Sequence, residues 1–144
     1  MANFYVDQFL RHRKATLQFA NVMPAEQWNF KPYEGALSFG QLVAHIVGAA
    51  EWFLGHFDGV AFDRATVPQD REGILAFIEQ KTAEQVARIE KAAAEPERLV
   101  DFRGNPMTVN AMMANLREHE VHHKGQLMTY LRMAGVTDKL FYTV

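Results

Sequence analysis

HEVHHKGQL, residues 119–127, opens with letters that satisfy H-E-x-x-H, the zinc signature of metalloproteases. The direction each histidine faces decides what the stretch is. At about 100° per residue with His119 at zero, the apolar residues Met112, Met113, Leu116, Leu127 and Leu131 fall between about 20° and 120°. His123 falls at about 40°, inside that stripe, and His119 lies at its edge. His122 falls near 300°, so the His-His pair faces two directions. Two imidazoles one turn apart and facing a core each need a partner for their polar nitrogens. A metal shared by His119 and His123 supplies one.

The helix that carries them extends well beyond the motif. Thr108, after Asn105-Pro106, is its N-cap, and Gly135 stands at the C′ position past Ala134. Three more segments have helical period. The first runs from about Phe4 to Met23 and stops at Pro24. The second opens at Ser38, with Gln41 completing a capping box, and ends at the Asp58-Gly59 turn. The third runs from about Arg71 to Ala94, before Pro96, and carries no histidine. No convincing alternating strand interrupts them, and Leu99–Phe102 (LVDF) is at most a short extended piece. Helices of 20 to 26 residues are about 30–39 Å long, so the expectation is an all-α protein: one four-helix bundle domain over residues 1–144.

Composition narrows the chemistry. The 144 residues are 49% apolar and 22% charged, ordinary values for one folded domain. A net charge of −2 gives no reason to expect nucleic acid as a partner. The basic cluster Arg11, Arg13 and Lys14 around His12 reads as a solvated helix face. There is no cysteine, which removes disulfides, thiolate metal sites and a Cys nucleophile. MANFYVDQFLRHRK reaches charge too quickly for a secretory signal, and no apolar run approaches membrane-spanning length, so no membrane partner and a cytoplasmic location are expected.

A zinc site needs a third ligand, and the H-E-x-x-H enzymes take theirs from downstream. KGQLMTYLRMAGVTDKLFYTV, after His123, holds no His or Glu and only Asp138 as a carboxylate. Gln126 and Thr129 stand where the metzincin Gly and third His belong. The third ligand therefore has to come from upstream. His45 sits in an apolar run (LVAHIV) beside the face defined by Leu42, Ile46, Ala49 and Phe53. His56, about 16.5 Å further along, cannot share its metal and suits the helix C-terminus as a partial cation. His12 is flanked by Arg and Lys. His45 is the candidate.

Two stretches resemble the DinB-like superfamily of small four-helix metalloproteins, which includes bacillithiol- and mycothiol-dependent transferases. LSFGQLVAHIVGAAEWFLGHFDG is similar to that family's second helix with its single His. NLREHEVHHKGQLMTYLRMAGV is similar to its last helix, with the His-x-x-x-His pair, the H-(R/K)-G-Q run and a closing Y-L-R-x-x-G. The resemblance implies a bundle with a long crossover connection and an open three-His site formed by His45, His119 and His123. It also implies zinc or nickel as the divalent metal ion and a homodimer, and it does not imply DNA binding. It does not deliver a substrate.

Three neutral histidines leave a dication uncompensated, able to acidify a bound water or hold a small-molecule thiol as its thiolate. In a chain without cysteine, the second option suits a low-molecular-weight thiol transferred to an electrophile. Glu120, near 100° on the wheel, is the candidate catalytic general base for a hydrolase alternative; its competing reading is an ion pair with an Arg of the first helix. A non-catalytic, stress-associated metal-binding bundle is the third reading. Glu120, Gln41 and Glu118 are the nearby acceptors for a ligand's second N–H. His122 reads as a site-mouth or surface residue, Lys124 and Arg132 as structural or rim charges, and Trp52 and Tyr130 as core.

Overall fold

The computed structural model describes residues 2–137. Four helices carry the fold: α1 Ala2–Val22, α2 Phe39–Asp58, α3 Arg71–Ala93 and α4 Val109–Met133. Their ends follow local chemistry. At Ser38 the capping box is complete, with the side chain accepting from Gln41 N and Gln41 Oε1 accepting from Ser38 N. Asp70 and Thr108 cap α3 and α4. Gly135, at φ 88°, closes α4: its N–H reaches Arg132 O and that of Val136 reaches Leu131 O, a Schellman pair.

Side-chain pairings fix the topology. Tyr5 Oη donates to Asn110 Oδ1 at 2.6 Å and Arg13 meets Glu120, so α1 and α4 run parallel. Tyr130 Oη donates to Leu37 O while His45 meets His119 and His123, so α2 runs antiparallel to α4. Helices α1 and α2 each pack on both α3 and α4, and consecutive pairs α1/α2 and α3/α4 lie across the diagonals. Because α2 and α3 start at the same end, residues 59–70 must run the length of the bundle. Twelve residues reach about 40 Å, enough to return along a helix of about 30 Å. This is the long crossover.

Small residues on α2 make room for what lies against it. A Cβ at Gly48 would stand 3.0 Å from Phe62 of the crossover, and one at Gly40 would fall inside the Trp28 indole. Gly40→Ala is therefore expected to cost more than about 2 kcal/mol, although Ala is the better helix former by about 1 kcal/mol. Chemical denaturation measures it; a variant as stable as the wild type means that Trp28 does not pack there.

The bundle interior is divided. One apolar cluster (Phe19, Met23, Phe39, Ile46, Ile78, Leu127) fills the end with the α2 and α3 N-termini, and another (Phe9, Leu54, Ile89, Met112, Leu116) fills the opposite end. Between them lies a buried polar layer. Arg13, fully buried, donates to both oxygens of Glu120, to Thr82 Oγ1 at 3.1 Å and to Gln85 Oε1 at 2.7 Å. Gln85 Nε2 continues to Val47 O and Glu51 Oε1, and Arg88 joins Glu51 to Asp58. The solvated-face reading of the basic cluster is thus corrected. Arg11 and Lys14 are exposed, but His12 and Arg13 point inward, where Lys124 meets His12 Nδ1 at 3.0 Å.

LVDF also departs from the expectation. It is β1, Leu99–Phe102, paired antiparallel with β2, Asn105–Thr108, Leu99 opposite Thr108. Arg103 and Gly104 between them both have positive φ, 56° and 84°, the two-residue turn that matches strand twist. Asn-Gly is the usual signal for that turn, and Arg-Gly conceals it.

Candidate metal centre

The structure brings His45, His119 and His123 together. His45 comes from α2, and the other two lie one turn apart on α4. Their Nε2 atoms converge: that of His45 stands 3.2 Å from that of His119 and 3.2 Å from that of His123. Among the described residues this is the group of His and carboxylate side chains whose ligand atoms lie close enough, within 4.8 Å, to hold one ion.

The donor set can be tested against a metal. Two nitrogens each about 2.0–2.1 Å from one ion at a tetrahedral angle are about 3.3 Å apart, close to the observed spacing. Without an ion the cluster is poorly satisfied, because the one Nε2 of His45, whether donor or acceptor, lies against two other ring nitrogens and can pair fully with only one. Burial is the main cause lowering the pKa of all three. It pulls His119 down to about 4, with help from His123, His45, His122 and Arg13. His45 is open to solvent on one side, yet burial still leads, followed by His123 and Arg64. For His123, burial outweighs the opposing hydrogen bond to Gln126. Near neutral pH all three are therefore uncharged imidazoles, the form that ligates.

Around the ring nitrogens the support is uneven. His123 Nδ1 lies 2.6 Å from Gln126 Oε1, which selects the tautomer that leaves Nε2 free to ligate. The sequence assigns Gln126 no role at the site, although its i+3 spacing from His123 is the signal that could have found it. His119 Nδ1 is buried with no hydrogen-bond partner, and the Phe53 ring packs against His119 at 5.8 Å. Gln41 is occupied by its capping box.

The remaining histidines lie apart from this cluster. His56 Nδ1 meets Trp52 O at 2.8 Å near the end of α2, His12 belongs to the polar layer, and His122 is exposed with its ring edge-on to His123. Glu120 does lie on the buried face, in the ion pair with an Arg of the first helix that was its competing reading. Its side chain is fully buried and both oxygens are committed to Arg13. Asp138 lies outside the described residues.

His45 and His119 form part of the wall of a cavity of about 720 Å³ between α2, the crossover and the hairpin. Trp28, Trp52, Phe53 and Phe62 supply its aromatic surface, so Trp52 is a cavity wall and not only core. None of the described helices is long and apolar enough to cross a membrane.

The model of the DinB family matches residues 1–144. The Bacillus subtilis protein YjoA, itself called uncharacterized, is 31% identical over 98% of this chain and 96% of its own. Its crystal structure, described as that of a DinB-like protein, superposes with a TM-score of 0.82 at 30% identity over 96% of both chains. A DinB-like protein from Bacillus cereus gives a TM-score of 0.83 at 21% identity, covering 96% of this chain and 95% of the other, a likeness of fold alone. An end-to-end family match, a relative above 30% identity and a shared crossover bundle agree: this chain belongs to the DinB family.

Proposed function

We propose that this chain is a metal-dependent enzyme that transfers a low-molecular-weight thiol to an electrophilic small molecule, with His45, His119 and His123 holding a zinc or nickel ion. The observation that carries the proposal is the convergence of three Nε2 atoms beside a large cavity that His45 and His119 line, with no fourth protein ligand grouped with them among the described residues. Structural zinc sites are closed by four protein ligands, whereas a site with three keeps a position for a reactant. Bound there, a divalent ion supplies the Lewis acidity that turns a thiol into a thiolate near neutral pH.

The chain's own residues do the rest. Gln126 orients His123, burial favours the neutral form of the three rings, and Trp52, Phe53 and Phe62 line the cavity with apolar surface. Since the chain has no cysteine, the thiol must come from outside, and a free small thiol persists in a reducing compartment such as the cytoplasm. The hydrolase alternative needs a base, and Glu120, its candidate, has both oxygens engaged by Arg13, which favours the transferase reading.

Cobalt substitution tests this reading. Adding glutathione or bacillithiol to the cobalt protein is expected to produce a near-ultraviolet thiolate-to-cobalt band that S-methylglutathione does not produce. Any such band belongs to the added thiol, because the protein has no cysteine to supply a thiolate. A cobalt spectrum indifferent to both thiols removes the transferase reading.

A further inference from the structure

The cavity beside the three histidines has a charge imbalance that metal ligation does not explain. Two arginines line it, Arg64 from the crossover and Arg103 from the hairpin turn, and no aspartate or glutamate does. The chain as a whole is net negative, with 17 acidic residues against 15 basic, so a wall with cations alone runs against its composition. The buried Arg13 is neutralised by Glu120 and the half-buried Arg88 by Glu51 and Asp58, whereas Arg64 and Arg103 stand exposed along the cavity. Among the described residues neither Arg64 nor Arg103 has a carboxylate within ion-pair distance. Asp63, next to Arg64 in sequence, instead accepts from Ala65 N at 2.9 Å as a cap.

Arg103 also occupies an unusual backbone position. At φ 56° it is the described non-glycine residue in the left-handed region, at a turn position that Asn or Gly adopts at lower cost. Its guanidinium lies 5.7 Å from the Trp52 ring centroid, held over a cavity wall by cation–π attraction. Such an outlier at the rim of a pocket points to a role for the side chain. Arg64 is near enough to His45 to contribute, after burial and His123, to lowering its pKa.

We infer that this cavity binds an anionic small molecule, a carboxylate or phosphate with an apolar body, whose charged end is held by Arg64 and Arg103 while its body lies against Trp52 and Phe62. A guanidinium suits both oxyanions, since its planar fork donates two parallel hydrogen bonds to either. The inference rests on the proposed reading of the three-His cluster as the reactive end of the same cavity, and it names the class of molecule brought to that end.

The chain's two tryptophans, Trp28 and Trp52, both line the cavity and report occupancy by fluorescence. The titrants are phenylacetate, phenyl phosphate and the neutral 2-phenylethanol, each with metal-loaded and chelator-treated full-length protein. Both anions are expected to bind at least about tenfold more tightly than the alcohol, and the tighter of the two identifies the oxyanion. R64Q and R103G should each weaken anion binding about tenfold, leaving alcohol binding and metal content unchanged. R103G suits the positive-φ turn and should not lower thermal stability, so its effect on binding cannot be attributed to unfolding.

Equal affinity for the alcohol overturns the inference. So does anion binding that survives in the R64Q/R103G double variant but vanishes on chelation, because the metal would then be the anion's partner. Should the cobalt–thiol band be absent while the arginine-dependent anion preference holds, the transferase reading fails alone.

Discussion

His45→Ala is expected to abolish stoichiometric metal binding, while untagged wild-type protein carries about one divalent ion per chain. His45 is the single member of the cluster from α2, and its Nε2 stands 3.2 Å from each of the other two. Its loss leaves two imidazoles on one helix face, fewer than the three protein ligands of catalytic zinc sites. Binding to the folded state alone stabilises it by about 2.7 kcal/mol at a hundredfold excess over Kd, which is roughly 5–11 °C in Tm for a domain of this size. Chelation should lower the wild-type Tm by that amount and leave the variant's unchanged. Elemental analysis and a thermal melt with and without chelator read both effects. A metal-free wild type, or a variant with wild-type metal content, removes the centre.

Acid provides a second measure of the same three rings. Their folded, metal-free pKa values lie below the ordinary histidine value of 6.5, with His119 at about 4. As the pH falls below 6.5, the unfolded chain takes up protons that the folded chain does not. Stability of the metal-free protein is therefore full above 6.5 and declines toward about 4, where His119 finally protonates. His45→Ala removes one such group, so its decline over that window should be shallower.

Much of this was legible because the relevant signals are local. The capping box at Ser38, the Thr108 cap and Gly135 mark helix ends through contacts within a few residues. The i, i+4 spacing of His119 and His123 put both on one face of a helix whatever its neighbours were. Arg13 was misread for the converse reason. Beside Arg11 and Lys14 it looks like part of a charged surface, and only the packing of α1 on α3 and α4 supplies its partners, 69 to 107 residues away. Arg64 and Arg103 lie in connections that carry no periodicity, so their convergence on one cavity has no one-dimensional signature.

The second large effect is expected at Arg13–Glu120. Removing one partner of a fully buried ion pair costs about 3–5 kcal/mol, because the other charge remains in the core without compensation. Glu120→Gln keeps the shape and removes the charge, and Arg13→Met removes the donor shared by Glu120, Thr82 and Gln85. Each single variant should lose roughly 3–5 kcal/mol in urea denaturation. The Arg13→Met/Glu120→Met pair should recover part of that loss, because apolar residues can replace a buried pair at little cost. Recovery stays incomplete, since Thr82 and Gln85 still lack their donor. The cycle also separates the two readings of Glu120. If it stabilises the bundle, Glu120→Gln lowers the denaturation midpoint, while the molecules that remain folded bind metal as the wild type does. If it is a general base, the midpoint stays put and turnover alone falls. With both carboxylate oxygens held by one guanidinium between two apolar clusters, the first outcome is expected.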